Sequence, residues 1–133
     1  MAGQLLNLPF PAGKHIDAIS RGSDCEAFFK VKCIDCNFSL SGVQNKVQQF
    51  KDKNNDADTA KFALNCIISA VEQATKQALS HYPGLQVVFS GGVASNSLLR
   101  KRMTEIGAIF CDPEFSTDNA MGVAILAWLS QEG

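Results

Sequence analysis

Between Asp56 and His81, Ala60, Leu64, Ile67, Val71, Ala74 and Ala78 recur at alternating intervals of four and three. That spacing lays them along one stripe and predicts a long amphipathic helix, with Asp56 as its N-cap and the stripe buried. Tyr82-Pro83-Gly84 stops the helix, and the branched run Leu85 to Phe89 reads as a buried β-strand packed against it. Ser90-Gly91-Gly92-Val93 follows. A second helix is predicted over about Ser95 to Ile106, burying Leu98, Leu99 and Met103, with Arg100, Lys101 and Arg102 on a solvated face. Ala108 to Cys111 reads as a short strand and Asp112-Pro113-Glu114 as a turn. Ser116 or Thr117 would cap a last helix, whose apolar run from Ala120 to Leu129 implies burial nearly all round. Upstream, Phe28 to Cys33 and Asn37 to Leu40 are candidate strands, Ser41-Gly42 leads into a helix through Phe50, and Lys51 to Asp56 is a solvated loop. Strand and helix alternating after residue 56 predict an α/β fold with a parallel crossover, organised as a single domain over residues 1–133.

Composition narrows the function classes. The 133 residues are 46% hydrophobic and 19% charged with a net charge of −1, which suits one α/β domain and lacks the strongly basic surface of a protein that grips nucleic acid unaided. The apolar run near the C-terminus is too short to span a bilayer and the N-terminus has no signal-like region, so a soluble intracellular protein is expected. Five scattered cysteines, Cys25, Cys33, Cys36, Cys66 and Cys111, argue against a disulfide scaffold and for a reducing compartment. Cys33-Ile-Asp-Cys36 has redox or zinc spacing, but without a second pair it is better read as small residues at a strand end.

Three stretches could carry chemistry. Val87-Val88-Phe89-Ser90-Gly91-Gly92-Val93 ahead of a helix is a strand–turn–helix passage of the sort that brings backbone N–H groups close to a bound anion or nucleotide, and equally one that merely allows a tight turn. Asn96 could hydrogen-bond a ribose or base, or cap the helix. In Ser116-Thr117-Asp118-Asn119 one polar residue suffices as a cap, so Asp118 is either part of that cap or a carboxylate for a metal or hydroxyl. Phe38-Ser39-Leu40-Ser41-Gly42 is a third candidate, or simply the polar face of a strand.

The order PxG, FSxSG, a long amphipathic helix, GGVxxN with a following Leu-Arg pair, and PEFxTDNAM closely resembles the C-terminal half of the universal tRNA threonylcarbamoyladenosine-synthesis family (TsaD/YgjD), whose members were once described as glycoproteases or O-sialoglycoprotein endopeptidases. The likeness runs from about Leu5 to Leu129. It implies an ATPase fold of the actin, sugar-kinase and Hsp70 type, in which two α/β lobes close on a nucleotide; this chain resembles most of the C-terminal lobe, a mixed sheet flanked by helices. By the same resemblance Gly91, Gly92 and Asn96 contact the adenine nucleotide or threonylcarbamoyl-adenylate, Gly13 matches the second glycine of a nucleotide-binding PGG loop, and Asp118 matches the aspartate that, with two histidines, holds a divalent iron or zinc ion. The implied partners are an N-terminal lobe, a paralogous actin-like subunit, a small ATPase and tRNA, in the cytoplasm, with no membrane.

The departures are specific. No HxxxH pair exists, since His15 and His81 stand elsewhere, so the metal site is incomplete in this chain and tight binding of metal or nucleotide by it alone is not expected. Pro11-Ala12-Gly13-Lys14 stands where the family has Pro-Gly-Gly-Pro, and Val43-Gln44 where it has Leu-Lys. The reading is a divergent bacterial member, isolated as one lobe. The rivals are a non-catalytic paralogue that binds nucleotide or a partner, favoured by Ala12 and Lys14, and a metallopeptidase, for which the chain supplies no HExxH.

Overall fold

Thr59, Ala63, Cys66 and Ala70 form the most buried line of the long helix, one residue round from the predicted stripe; of that stripe Ala60 is fully buried as expected, and Leu64, Ile67, Val71, Ala74 and Ala78 are half-buried. Thr59 and Cys66 escape an apolar count, yet both tolerate burial. Thr59 Oγ1 donates to the Asn55 carbonyl at 2.8 Å, and burial against a smaller opposing effect of the Phe29 N–H pushes the Cys66 thiol up, leaving it an inert core group. The computed structural model describes residues 2–9, 12–112 and 128. Contacts divide the chain into two compact units, Met1–Leu85 and Gln86–Gly133.

The first unit holds α1 (Ala2–Leu5), α2 (Ala12–Ser20), β1 (Cys33–Ile34), β2 (Asn37–Phe38), α3 (Val43–Lys51) and α4 (Asp56–His81). Asn55, not Asp56, caps α4: its side chain accepts from the Asp58 N–H at 2.8 Å. Helix α4 packs on α2 and α3, and the core gathers Val31, Val43, Val47, Phe62, Ala63, Cys66 and Ala70, with Phe50 stacked on Phe62 at 4.2 Å. Gly42, at φ 86, allows the reversal from Leu40 into α3 that the Ser-Gly pair predicted.

The expected strand Phe28–Cys33 is held differently. Its odd-numbered residues turn their backbone groups to side chains of α4: Asn65 donates to the carbonyls of Cys25 (3.0 Å) and Ala27 (3.2 Å), the Phe29 N–H meets Cys66 Sγ, Gln73 donates to Val31 (3.2 Å) and Gln77 to Cys33 (3.0 Å). An extended chain points alternate peptide groups to one side, so a row of side chains on one helix face replaces a strand partner. Strand pairing begins only at Cys33–Ile34, antiparallel to Asn37–Phe38. Asp35 (φ 48) and Cys36 (φ 63) form the two-residue turn, with both residues left-handed as a type I′ hairpin requires. The Cys36 N–H donates to Gln77 Oε1 at 2.8 Å. The Cys-x-x-Cys stretch is thus a hairpin turn locked to α4, in keeping with the strand-end reading, and its cysteines are free thiols. Gln77→Leu is expected to cost about 1 to 2 kcal/mol by removing the bonds to Cys33 and Cys36; a urea midpoint unchanged from wild type would show that the hairpin does not depend on this anchor.

The second unit contains β3 (Val88–Phe89), a 3₁₀ turn (Val93–Ser95), α5 (Ser97–Thr104) and β4 (Ile109–Phe110). Strands β3 and β4 pair in parallel, Val88 with Ile109 and Phe89 with Phe110, so the predicted crossover through a helix is present. Leu99 and Met103 are buried as expected, while Leu98 is half-buried. The predicted buried strand Leu85–Phe89 shrinks to two residues, and Leu85 and Val88 are 64% and 58% exposed, because a two-stranded sheet leaves its faces open. Antiparallel and parallel pairing thus both occur, in separate two-stranded sheets. The last predicted helix lies outside the described residues, apart from Trp128.

Candidate functional site: the glycine turn after β3

From Phe89 the chain leaves the parallel pair through Ser90 and turns at Gly91, whose φ of 100 is a conformation that L side chains rarely adopt. Gly92 differs: it sits at φ −60, ψ −39, ordinary helical backbone, and a Cβ built there meets nothing within 4 Å. Gly91 is demanded by its backbone angle, and Gly92 by nothing inside the described residues. The Ala94, Ser95 and Asn96 N–H groups close the 3₁₀ turn on the carbonyls of Gly91, Gly92 and Val93 at 3.1, 3.2 and 3.1 Å. Among the described residues no hydrogen bond occupies the Gly92 and Val93 N–H groups, and Val93 is exposed. Successive backbone donors in such a turn make a shallow anion-binding concavity. Among the described residues Ser95 Oγ is buried without a hydrogen-bond partner, an orphan of the kind a ligand satisfies.

Asn96 caps α5. Its Oδ1 accepts from the Leu99 N–H at 3.0 Å, and its carbonyl accepts from the Arg100 N–H at 3.0 Å. Asn96→Ala is expected to lose about 1 kcal/mol and Asn96→Ser nearly nothing, because serine caps as well as asparagine; equal melting temperatures for the two variants would disprove the capping role.

Gly91, Gly92 and Asn96 thus come together in one turn of the second unit. Gly13 belongs to the first unit, exposed in the opening turn of α2 instead of in a loop, and a Cβ there would also meet open space. Asp118 lies outside the described residues. Among the described residues no three His, Cys, Asp or Glu side chains cluster to hold a metal ion. The glycine turn offers unoccupied backbone donors of the kind an anion uses, and the described residues do not fit a metal. Ser39 and Ser41 of the FSxSG stretch bond each other, Oγ to Oγ at 2.8 Å, and lie exposed ahead of α3.

The residue that sequence reasoning misplaced is Arg100, which turns inward while Lys101 and Arg102 are exposed as expected. Its only sequence signal was a position directly after the buried Leu99.

The family model for tRNA N6-adenosine threonylcarbamoyltransferase, TsaD, matches residues 1–125. The chain belongs to this family. It is 34% identical over 134 residues to a tRNA N6-adenosine threonylcarbamoyltransferase of Carboxydothermus hydrogenoformans, a match covering 92% of this chain and 40% of that protein. It is 36% identical to the one of Mycoplasmopsis agalactiae, covering 92% of this chain and 44% of that protein, and 31% identical to the one of Streptococcus suis, covering 94% and 41%. The chain therefore spans about two-fifths of the length of these relatives. Among its described residues no helix is long and apolar enough to cross a membrane.

Proposed function

We propose that this chain is the C-terminal lobe of a cytoplasmic threonylcarbamoyltransferase with an actin/Hsp70/sugar-kinase-like ATPase fold, the whole of which moves threonylcarbamoyl from its adenylate to adenosine 37 of tRNA. The observation that carries the reading is the family match over residues 1–125. The glycine turn supports it, because among the described residues nothing requires Gly92 to be glycine and no hydrogen bond occupies its backbone donor or that of Val93.

In this reading the lobe supplies one wall of the nucleotide cleft. The Gly92 and Val93 N–H groups face the nucleotide, the Asn96 side chain contacts it while capping α5, and Gly13 keeps the nucleotide-loop role that the family pattern gives it. The reaction passes threonylcarbamoyl from a mixed anhydride to the exocyclic amine of adenosine, releasing AMP. Such a transfer depends on holding two large substrates in register more than on a protein nucleophile. None of the five cysteines is needed, and Cys66 is buried. A divalent iron or zinc ion on Asp118 and on ligands from an N-terminal lobe would supply a Lewis acid. The remaining partners are the N-terminal lobe, a paralogous actin-like subunit, a small ATPase and tRNA.

The helical placement of Gly13 favours a second reading. A glycine in the first turn of α2 is not the flexible loop of the family pattern, which suits a paralogue that binds nucleotide or a partner without catalysis. The test is the full-length protein combined with its partner subunits, threonylcarbamoyl-adenylate and unmodified tRNA, with nucleoside mass spectrometry as readout. Modified adenosine that vanishes in Gly92→Val supports the transferase. Nucleotide binding without modification supports the paralogue, and neither activity rejects both.

A further inference from the structure

Three consecutive basic residues sit in α5, and the first, Arg100, is half-buried where the other two are exposed. Arg100 Nε donates to the carbonyl of Ala94 at 3.0 Å, its Nη2 donates to the carbonyl of Cys111 at 2.5 Å, and its guanidinium carbon stands 4.9 Å from the centre of the Phe110 ring. That ring is itself stacked on Phe89 at 5.2 Å. The two carbonyls belong to different places: Ala94 is the middle of the 3₁₀ turn, and Cys111 directly follows β4. One side chain thus ties the turn to the residue just past the neighbouring strand and stands over the Phe110 ring.

We propose that Arg100 is a positioning residue, whose guanidinium clamps the Gly91–Asn96 turn to the C-terminal end of β4 and so fixes the turn's backbone donors for an adenine nucleotide. The inference rests on the nucleotide reading above and adds to it the residue that presets the turn. The chemistry explains the choice of arginine. A planar fork presents donors in two directions at once and stacks on a ring, whereas a lysine ammonium is a point charge that serves one carbonyl well and lies poorly on an aromatic face. Charge-assisted bonds to carbonyls are also stronger than neutral ones, so they hold a turn whose own three bonds, at 3.1 to 3.2 Å, are of 3₁₀ geometry. Preset donors matter to binding because a loop ordered beforehand is not ordered at the ligand's expense.

The experiment uses the full-length protein and its Arg100→Lys and Arg100→Met variants, with amide hydrogen exchange resolved by residue, thermal melting and calorimetric titration with ATP. In both variants the Ala94, Ser95 and Asn96 amides should exchange about tenfold faster, ATP affinity should fall by about the same factor, and lysine should not rescue. The Met103 amide and the melting temperature should barely change. Unchanged exchange at residues 94–96 in both variants would overturn the clamp. Acceleration spread evenly through α5 and β4 would overturn it too, since Arg100 would then serve general packing. Faster exchange with unaltered ATP affinity would refute its role in positioning for the nucleotide. If the wild-type protein binds no ATP, the nucleotide reading fails, and the exchange data alone decide whether the clamp exists.

Discussion

Gly92→Val in the full-length protein is expected to leave the melting temperature within a few degrees of wild type and to weaken adenine-nucleotide binding by at least about tenfold, whereas Gly91→Val is expected to cost on the order of 2 to 3 kcal/mol of stability. The two glycines are neighbours with opposite needs. At φ 100, Gly91 occupies a region that a β-branched residue enters only under strain. At φ −60 with open space where a Cβ would stand, Gly92 can accept valine without disturbing the described chain. Whatever Gly92→Val damages must then lie in the space outside the turn, where backbone meets ligand. Paired melts and nucleotide titrations check this. If Gly92→Val lost stability and binding in proportion, the glycine would serve folding, and the turn would lose its strongest claim to a ligand.

The chain alone is expected to transfer no threonylcarbamoyl group to tRNA and to bind ATP on the order of a thousandfold more weakly than the full-length protein, a difference of about 4 kcal/mol. A nucleotide enclosed between two lobes draws on both walls, and removing one wall takes away its contacts and opens the other to water. This chain spans 40% of its Carboxydothermus relative, and its described residues include no cluster able to hold a metal ion. Calorimetric titration of the isolated chain with ATP, and separately with divalent iron or zinc, measures the effect. Micromolar metal affinity abolished by Asp118→Ala, or any modified tRNA, would mean that the site is self-contained.

Where the sequence spoke through long repetition, the structure agrees. Helix α4 was legible because 26 residues without an internal glycine or proline carry a helical period. Its inward face was misjudged by one residue because threonine and cysteine were not counted as core, although a hydroxyl satisfied by its own helix buries readily. The hairpin at Asp35-Cys36 gave no Asn-Gly signal, and its left-handed turn is sustained by Gln77, which lies 41 residues beyond Cys36 in the chain. Of the candidate site, Gly91, Gly92 and Asn96 were legible as a group, because strand, glycine pair and helix follow one another without interruption. Which glycine bends the chain was not, since both conformations suit glycine and only the backbone angles separate them. Arg100 was hidden for a related reason: a basic residue on a short helix is ordinarily solvated, and its two carbonyl partners become neighbours only after the parallel pair has formed.

The row of side chains along α4 bears on how this sequence can change over evolutionary time. Asn65, Gln73 and Gln77 grip main-chain carbonyls of residues 25 to 33, groups that every amino acid possesses. The side chains of that segment are therefore freer to drift than those of a strand locked by cross-strand partners, provided Val31 still fills the core and residue 29 keeps its N–H. The constraint has moved to the helix. There an exchange of amide for acid, a conservative step on most surfaces, would set a carboxylate oxygen against a carbonyl oxygen and release the segment.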